Sequence, residues 1–295
     1  MTIRSVTSRF TIRPRGPFSL EEAANFGFGQ RIDPTWDGVM RLAFCVDGYR
    51  DQVGVEIRQD DLGVHCILHG EADAVVVERQ VARVLSLDFD GGAFLEIGRR
   101  DPIIGRLQAA APGLRPPLFY SPYEAAAWSI ISARRPARQM AEVRREMSEA
   151  HGRVFELAGQ RVAALPTPEQ LLRVGSFAGL TPEKVERLHG VARAAIAGTL
   201  DVTRIQAMGP EAAMEDLRSI KGIGPFYSSL IVVRGSGFAD VAVMEPKAME
   251  FAAKLYGLPG PPSDEEFRAM ADRWRPFRTW AIVLMRAAGG RVLAS

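Results

Sequence analysis

The spacing of apolar and polar positions changes character once along the chain. Up to about residue 70 the apolar residues fall in short β-rich runs, Val6 to Ile12, Gly38 to Val46, Gln52 to Arg58 and Gly63 to His69. Turn signals at Asp47-Gly48 and Asp61-Leu62-Gly63 separate the last three, a pattern that predicts antiparallel strands joined by hairpins. Two helical segments interleave with them. Ser19 to Phe26 opens on Ser19 with Glu22 three residues later, a capping-box spacing, and Ala72 to Leu85 carries Val75, Val76, Ala82 and Leu85 at helical intervals. Beyond Asp90-Gly91-Gly92 the strand signals stop, and the proline-rich stretch from Pro112 to Pro117 marks a boundary.

From Ser121 onward the pattern is almost wholly helical. Ser121-Pro122-Tyr123-Glu124 supplies a cap and a proline at the first helical position, and it opens an apolar run through Ile131. A second helix is predicted from Pro136 to His151, stopped by Gly152. Thr167 caps a short helix, Thr181 caps another that reaches Ala197, and a further helix begins near Pro210. Many capped helices joined by short loops predict an all-α domain rather than a βαβ array. The expected architecture is therefore α+β: an antiparallel sheet with packed helices over residues 1–111, then a helical domain over 112–295.

The densest stretch runs from Leu217 to Gly235, LRSIKGIGPFYSSLIVVRG. It reads as a helix, a tight turn at Lys221-Gly222-Ile223-Gly224, and a second helix opened by Pro225. Gly222 and Gly224 are expected to hold backbone conformations that a side chain resists. The first amides of the second helix lack partners within the helix, and with the dipole they suit an anion such as a phosphate. Donors of that kind hold a nucleic-acid strand without reading its sequence.

Composition narrows the picture. The chain has 295 residues, 47% of them hydrophobic, enough for one large core or two smaller ones. Net charge is +2, so a nucleic-acid surface has to come from local clustering of charge. Only Cys45 and Cys66 are present, which excludes a four-cysteine metal site or iron–sulfur cluster and fits reduced thiols in a core. His65 and His69 flank Cys66, but on an alternating strand the histidines share one face and the cysteine the other, so the three do not converge on a metal. The N-terminus lacks an apolar leader core and no apolar run is long enough to span a bilayer, so a cytoplasmic protein without membrane association is expected.

After the hairpin come GFADVAVMEPKAMEFAAKLYG and then DRWRPFRTWAIVLMRAAGG. Hairpin, carboxylate-bearing loop, a helix ending LYG and the RWRPFRTWA helix together resemble the helix-hairpin-helix DNA glycosylases, most closely the bacterial 3-methyladenine DNA glycosylase II enzymes. The segments RFTIRPRGPFSL, SPYEAAAWSIISARR and PTPEQLL extend the resemblance over nearly the whole chain. It implies a monofunctional DNA glycosylase that flips an alkylated or damaged purine out of the duplex and hydrolyses its N-glycosidic bond. A lesion-binding protein of the same fold with impaired catalysis is the alternative. No cofactor or metal is implied, the partner is double-stranded DNA carrying damaged bases, no obligate protein partner is inferred, and the setting is a bacterial nucleoid in a cytoplasm.

The resemblance also implies residue roles. Lys221, Gly222, Ile223, Gly224, Phe226, Tyr227 and Ser228 fall on the DNA-holding hairpin. Arg134 takes the place of the residue that wedges into the duplex, with Arg135 beside it, in a turn that reads equally as a solvated basic loop. The family places a catalytic aspartate at the end of the loop after the hairpin; here that place falls on Glu245 or Pro246 depending on the alignment, with Asp240 as the nearest aspartate. Position 226 is lysine in members that also cut the backbone, and Phe226 supplies no such amine. Tyr123, Trp128, Phe226, Leu230 and Arg286 are the implied pocket residues, Arg286 standing where the alkylpurine branch has an aromatic. Trp274, Phe277 and Trp280, spaced by three, are expected to be core.

Overall fold

The computed structural model describes residues 7–26 and 36–294, so Val6 lies outside the described residues. The first third forms a four-stranded sheet from β1 (Thr7–Ile12), β2 (Met40–Cys45), β3 (Gln52–Asp60) and β4 (Gly63–His69), in the order β1-β4-β3-β2 with antiparallel neighbours. α1 (Leu20–Asn25) and α2 (Ala74–Val84) accompany it. Leu42, Phe44, Val55, Ile57 and Leu68 from the sheet, Val77 and Val81 from α2 and Leu85 just after it make one core. Ser19 caps α1 by accepting from Glu22 N at 3.1 Å. The second half of the expected capping box is not made: the Glu22 carboxylate accepts instead from Arg291 Nη1 at 2.9 Å. On β4, His65 pairs with Asp60 and His69 with Glu56, while Cys66 is buried.

α3 (Gly91–Arg100) and α4 (Pro102–Ala110) follow, with Asp101 accepting from Ile103 N at 3.1 Å as the cap of α4. Their apolar residues Phe94, Ile97, Ile104 and Leu107 do not join the sheet's core. They pack with Ala252, Trp280, Leu284 and Met285 from the far end of the chain. The packing therefore divides across the chain rather than at the proline stretch, and two helices that precede residue 112 belong to the C-terminal core.

The helical part begins with α5 (Pro122–Ser132), buried over nearly its whole length, and α6 (Ala137–His151). A two-stranded hairpin that the helical reading passed over comes next, β5 (Val154–Leu157) and β6 (Gln160–Ala163). Ala158 and Gly159 turn it with φ of 44° and 78°, the positive pair that a two-residue hairpin requires. It packs on the sheet at Gly54, where an added Cβ would lie 2.8 Å from both Phe155 and Leu157 atoms. α7 (Pro168–Leu171), α8 (Pro182–Ile196), α9 (Val202–Met208) and α10 (Pro210–Leu217) lead to the hairpin. α11 (Pro225–Leu230) runs into one π-turn, Ile231–Gly235, and the chain closes with α12 (Pro246–Tyr256), α13 (Asp264–Ala271) and α14 (Arg278–Ala294). The RWRPFRTWA segment is not one helix. Trp274 ends a short 3-10 turn and Pro276 precedes the start of α14, as a ring without an N–H that clashes with helical backbone ahead of it dictates. Trp274, Phe277 and Trp280 nevertheless share one buried cluster.

Polar contacts fasten the sheet to the helices. Glu124 is fully buried, accepts from Cys45 N at 3.2 Å and pairs with Arg144 Nη2 at 2.6 Å, joining β2, α5 and α6. Arg83 makes a two-point pair with Asp47 at 2.7 and 2.9 Å. Arg115, 1% exposed, donates to the carbonyls of Arg15, Gly16, Pro17, Ser86 and Phe89. Burial pushes its guanidinium down to about 10.

Candidate active site and nucleic-acid interface

The hairpin turn is built around Gly222. Its φ is +99°, and an ideal Cβ there would sit 2.8 Å from Ile130 Cδ1 and 3.0 Å from Arg187 Cδ. Both the conformation and the space demand glycine. Gly224 is different: φ is −94°, ψ is −173°, and a Cβ would meet nothing within 4 Å. The expectation that its backbone requires glycine is therefore corrected. An added methyl would project into the open space in front of α11, whose amides at Phe226 and Tyr227, with that of Gly224, make no hydrogen bond among the described residues. Ile223 and Ser228 turn inward, at 4% and 1% exposure, and Ser228 Oγ donates to Pro225 O. Their side chains support the turn, while Lys221 and Phe226 are exposed.

The turn between α5 and α6 sits beside this hairpin. Arg134 is exposed with φ of 56°, and Arg135 and Arg138 are exposed next to it. Lys184 Nζ on α8 donates to Ile131 O at 2.6 Å and Ala133 O at 3.0 Å, closing the last carbonyls of α5. Burial, then the charges of Arg135 and Arg187, lower the Lys184 pKa. Arg187 lies against Gly222, pairs with Glu183 at 2.5 Å and leaves its buried Nε without a partner. Lys184 and Arg187 thus join a basic face with Arg134, Arg135 and Lys221. The sequence reading missed them, because 53 residues separate Lys184 from the carbonyl at Ile131; the Thr181 cap signalled only their helix.

The second cluster lies where the post-hairpin loop meets α14. Asp240 accepts from Arg278 Nε at 2.8 Å and Arg275 Nη1 at 3.2 Å. Thr279 bonds both the N and the O of Val241, at 3.1 and 3.0 Å, and donates its own N–H to Ala239 O at 2.9 Å. These contacts strap the loop to the start of α14, and they occupy the Asp240 carboxylate as a structural tie. Glu245 comes at the end of the same loop as the cap of α12, its Oε2 accepting from Ala248 N at 2.7 Å. Its Oε1 accepts from Arg286 Nη1, two turns along α14. The Glu245 side chain is 24% exposed and that of Arg286 50%. The arginine standing at an expected pocket aromatic is thus the direct partner of the candidate carboxylate.

Two expected pocket residues are placed otherwise. Tyr123 is fully buried, its hydroxyl donating to Pro166 O at 2.8 Å and its ring against Tyr49, which leaves no face for a base. Trp128 is 6% exposed within the same core. Both point inward because α5 is enclosed by α6, α8, the π-turn and the β2–β3 end of the sheet. Phe226 is 64% exposed, in edge contact with Tyr227, and Leu230 is half-buried against the core. Among the described residues no helix is long and apolar enough to cross a membrane, and no group of three metal-ligating side chains comes together.

No protein-family model matches the chain. It is 25% identical over 248 residues to a probable bifunctional transcriptional activator/DNA repair enzyme AlkA of Mycobacterium tuberculosis, covering 83% of this chain and 49% of that protein. The chain thus spans about half the length of that relative. It is 27% identical over 184 residues to DNA-3-methyladenine glycosylase 2 of Escherichia coli, covering 61% of this chain and 62% of the other. The structure of a 3-methyladenine DNA glycosylase from Archaeoglobus fulgidus superposes with a TM-score of 0.77 at 20% identity, over 96% of this chain and 98% of that one. The chain has the fold of the helix-hairpin-helix DNA glycosylase superfamily, and its sequence is similar to the 3-methyladenine glycosylases within it.

Proposed function

We propose that the protein is a monofunctional DNA glycosylase for alkylated or otherwise damaged purines, working on duplex DNA in the cytoplasm. The observation that carries the reading is the Glu245 carboxylate, held at the cap of α12 and partly open to solvent, in a chain that also presents a glycine hairpin backed by a basic face. The hairpin amides and Lys221, Arg134, Arg135 and Arg187 hold the phosphate backbone without regard to sequence. A base inside the stack is out of reach, so the damaged nucleotide is flipped out before chemistry. As the bond from the purine nitrogen to C1′ breaks, its electron pair leaves with the base and positive charge grows on the sugar. Glu245 stabilises that charge and orients the water that adds to C1′. By the resemblance, position 226 is where members that also cut the backbone carry lysine, and Phe226 has no amine, so strand cleavage through a Schiff base is not expected. No step calls on a metal or cofactor.

One observation favours the second reading, a lesion-binding protein with impaired catalysis. Both carboxylate oxygens of Glu245 are engaged, one by Ala248 N and one by Arg286. Release of free base from duplexes carrying 7-methylguanine, 3-methyladenine or an uncharged purine adduct, compared between wild type and Glu245→Gln at equal DNA occupancy, separates the two. The enzyme reading expects release to fall by about 10²–10³ in the variant with affinity retained. Tight binding by the wild type with no release from any duplex replaces it with the binding reading.

A further inference from the structure

Resting on the glycosylase reading, we infer that Arg286 selects against cationic bases, so that the preferred substrates are uncharged purine adducts presenting a hydrogen-bond acceptor. Three features of the site support this.

The first is the hollow in which Arg286 stands. A cavity of about 180 Å³ lies between the end of α1 and the face of α14, lined by Asn25, Phe26, Leu114, Arg286 and Arg291. That volume suits a purine ring system. The second is the donor inventory. Arg286 spends only Nη1 on Glu245, so Nε and Nη2 keep their hydrogens uncommitted among the described residues. The neighbouring Arg291 likewise uses only Nη1, which donates to both Glu22 oxygens and to Ala110 O, and it is tied to the chain at two points where Arg286 is tied at one. The third is charge. Each arginine in the hollow has one carboxylate partner, so the site is close to neutral before a base arrives. Once Glu245 is turned to the sugar, Glu22 is left as the carboxylate of the hollow and is paired with Arg291, so two guanidiniums face the base against one carboxylate.

The chemistry of departure sorts the substrates. A purine alkylated to a cation leaves as a neutral molecule, needs little help, and is repelled by Arg286 at close range. An uncharged purine leaves with the electron pair of the broken bond and carries negative charge until solvent protonates it. Guanidinium donors aimed at an acceptor on its edge stabilise that charge, and the arginine keeps its own protons throughout. Arg286 thereby does two things: it holds Glu245 in place while the site is empty, and it contacts the leaving base when the site is full.

The test compares wild type, Arg286→Met and Arg286→Lys on duplexes carrying 1,N6-ethenoadenine, which is uncharged, and 7-methylguanine, which is cationic. Single-turnover release and equilibrium affinity are both read for each duplex, with thermal unfolding as the control for folding. Wild type should favour ethenoadenine. Arg286→Met should lose about a hundredfold in ethenoadenine release and lose far less in 7-methylguanine release, so that the lesion ratio moves toward 7-methylguanine, and Arg286→Lys should keep the wild-type direction. A lesion ratio that is the same in wild type and Arg286→Met, or a wild-type preference for 7-methylguanine, overturns the assignment. The two readings fail separately. Normal release with an unchanged ratio removes only the role of Arg286; no release, with an affinity ratio that shifts in Arg286→Met, removes the enzyme and leaves Arg286 as a recognition residue.

Discussion

Replacing the two hairpin glycines one at a time should separate folding from DNA binding, because the structure gives them different jobs. At Gly222 an alanine must adopt φ near +99°, which costs an L-residue about 1–2 kcal/mol. Its methyl must also displace Ile130 Cδ1 from 2.8 Å and Arg187 Cδ from 3.0 Å. The arginine end is flexible, but Ile130 is 1% exposed in the core around α5, and overpacking of that kind adds about 1–3 kcal/mol. Gly222→Ala should therefore lose about 2–5 kcal/mol and lower the melting temperature by on the order of 10 °C. At Gly224 the backbone is extended and the space is open, so alanine should change stability by less than about 0.5 kcal/mol. Its methyl would stand where a phosphate oxygen approaches the α11 amides, and loss of one charge-assisted hydrogen bond costs about 1.5–3 kcal/mol, or roughly ten- to a hundredfold in affinity. Thermal denaturation and fluorescence anisotropy with a labelled duplex measure both quantities. A Gly224→Ala protein that binds DNA as wild type does would refute the phosphate role of these amides, and an unaltered melting temperature for Gly222→Ala would refute the packing argument.

Three further outcomes follow from other parts of the molecule. Lys221→Ala should weaken binding to all duplexes alike and reduce the slope of log affinity against log salt by about 1, read from anisotropy titrations at several salt concentrations. Glu124→Gln leaves the buried Arg144 guanidinium without its carboxylate, so denaturant titration should show a loss of about 3–5 kcal/mol. Arg41 holds the Asp37 carboxyl down from 3.8 to about 2 through a two-point pair. A carboxyl with a depressed folded pKa contributes stability above its unfolded value and loses it as the pH falls through its folded value. Stability measured from pH 6 to pH 2 should accordingly fall less steeply in Asp37→Asn, with the two proteins converging near the acid end.

Where one short segment carries its own reason, reading the residues sufficed. Thr181 caps α8 by accepting from Lys184 N, and Thr167 with Gln170 forms a full capping box on α7. Gly222 turns the hairpin at positive φ, and Asp47-Gly48 and the Asp60 to Gly63 turn deliver strands whose register alternates as the sheet requires. The hairpin at Ala158-Gly159 was also written locally, as an alternating run about a two-residue turn, but helical neighbours masked it.

Which groups finally meet was settled only by the tertiary structure. Glu245 and Arg286 are 41 residues apart, and Glu22 and Arg291 are 269 apart. Nothing in either neighbourhood says that the first pair shares a bond or that the second closes one side of a hollow. Glu22 and Glu124 both sit at the capping-box position, yet each sends its carboxylate to a distant arginine, because a long-range charged partner outcompetes one backbone amide. α3 and α4 precede the proline boundary but dock on α14, since an amphipathic face records how much apolar surface must be covered and not which element covers it. The sequence by itself determined the elements, their caps and the glycine turn, because these depend on interactions within a few residues; the tertiary structure decided the carboxylate's partner and the walls of the hollow, because those depend on packing between elements that local chemistry does not specify.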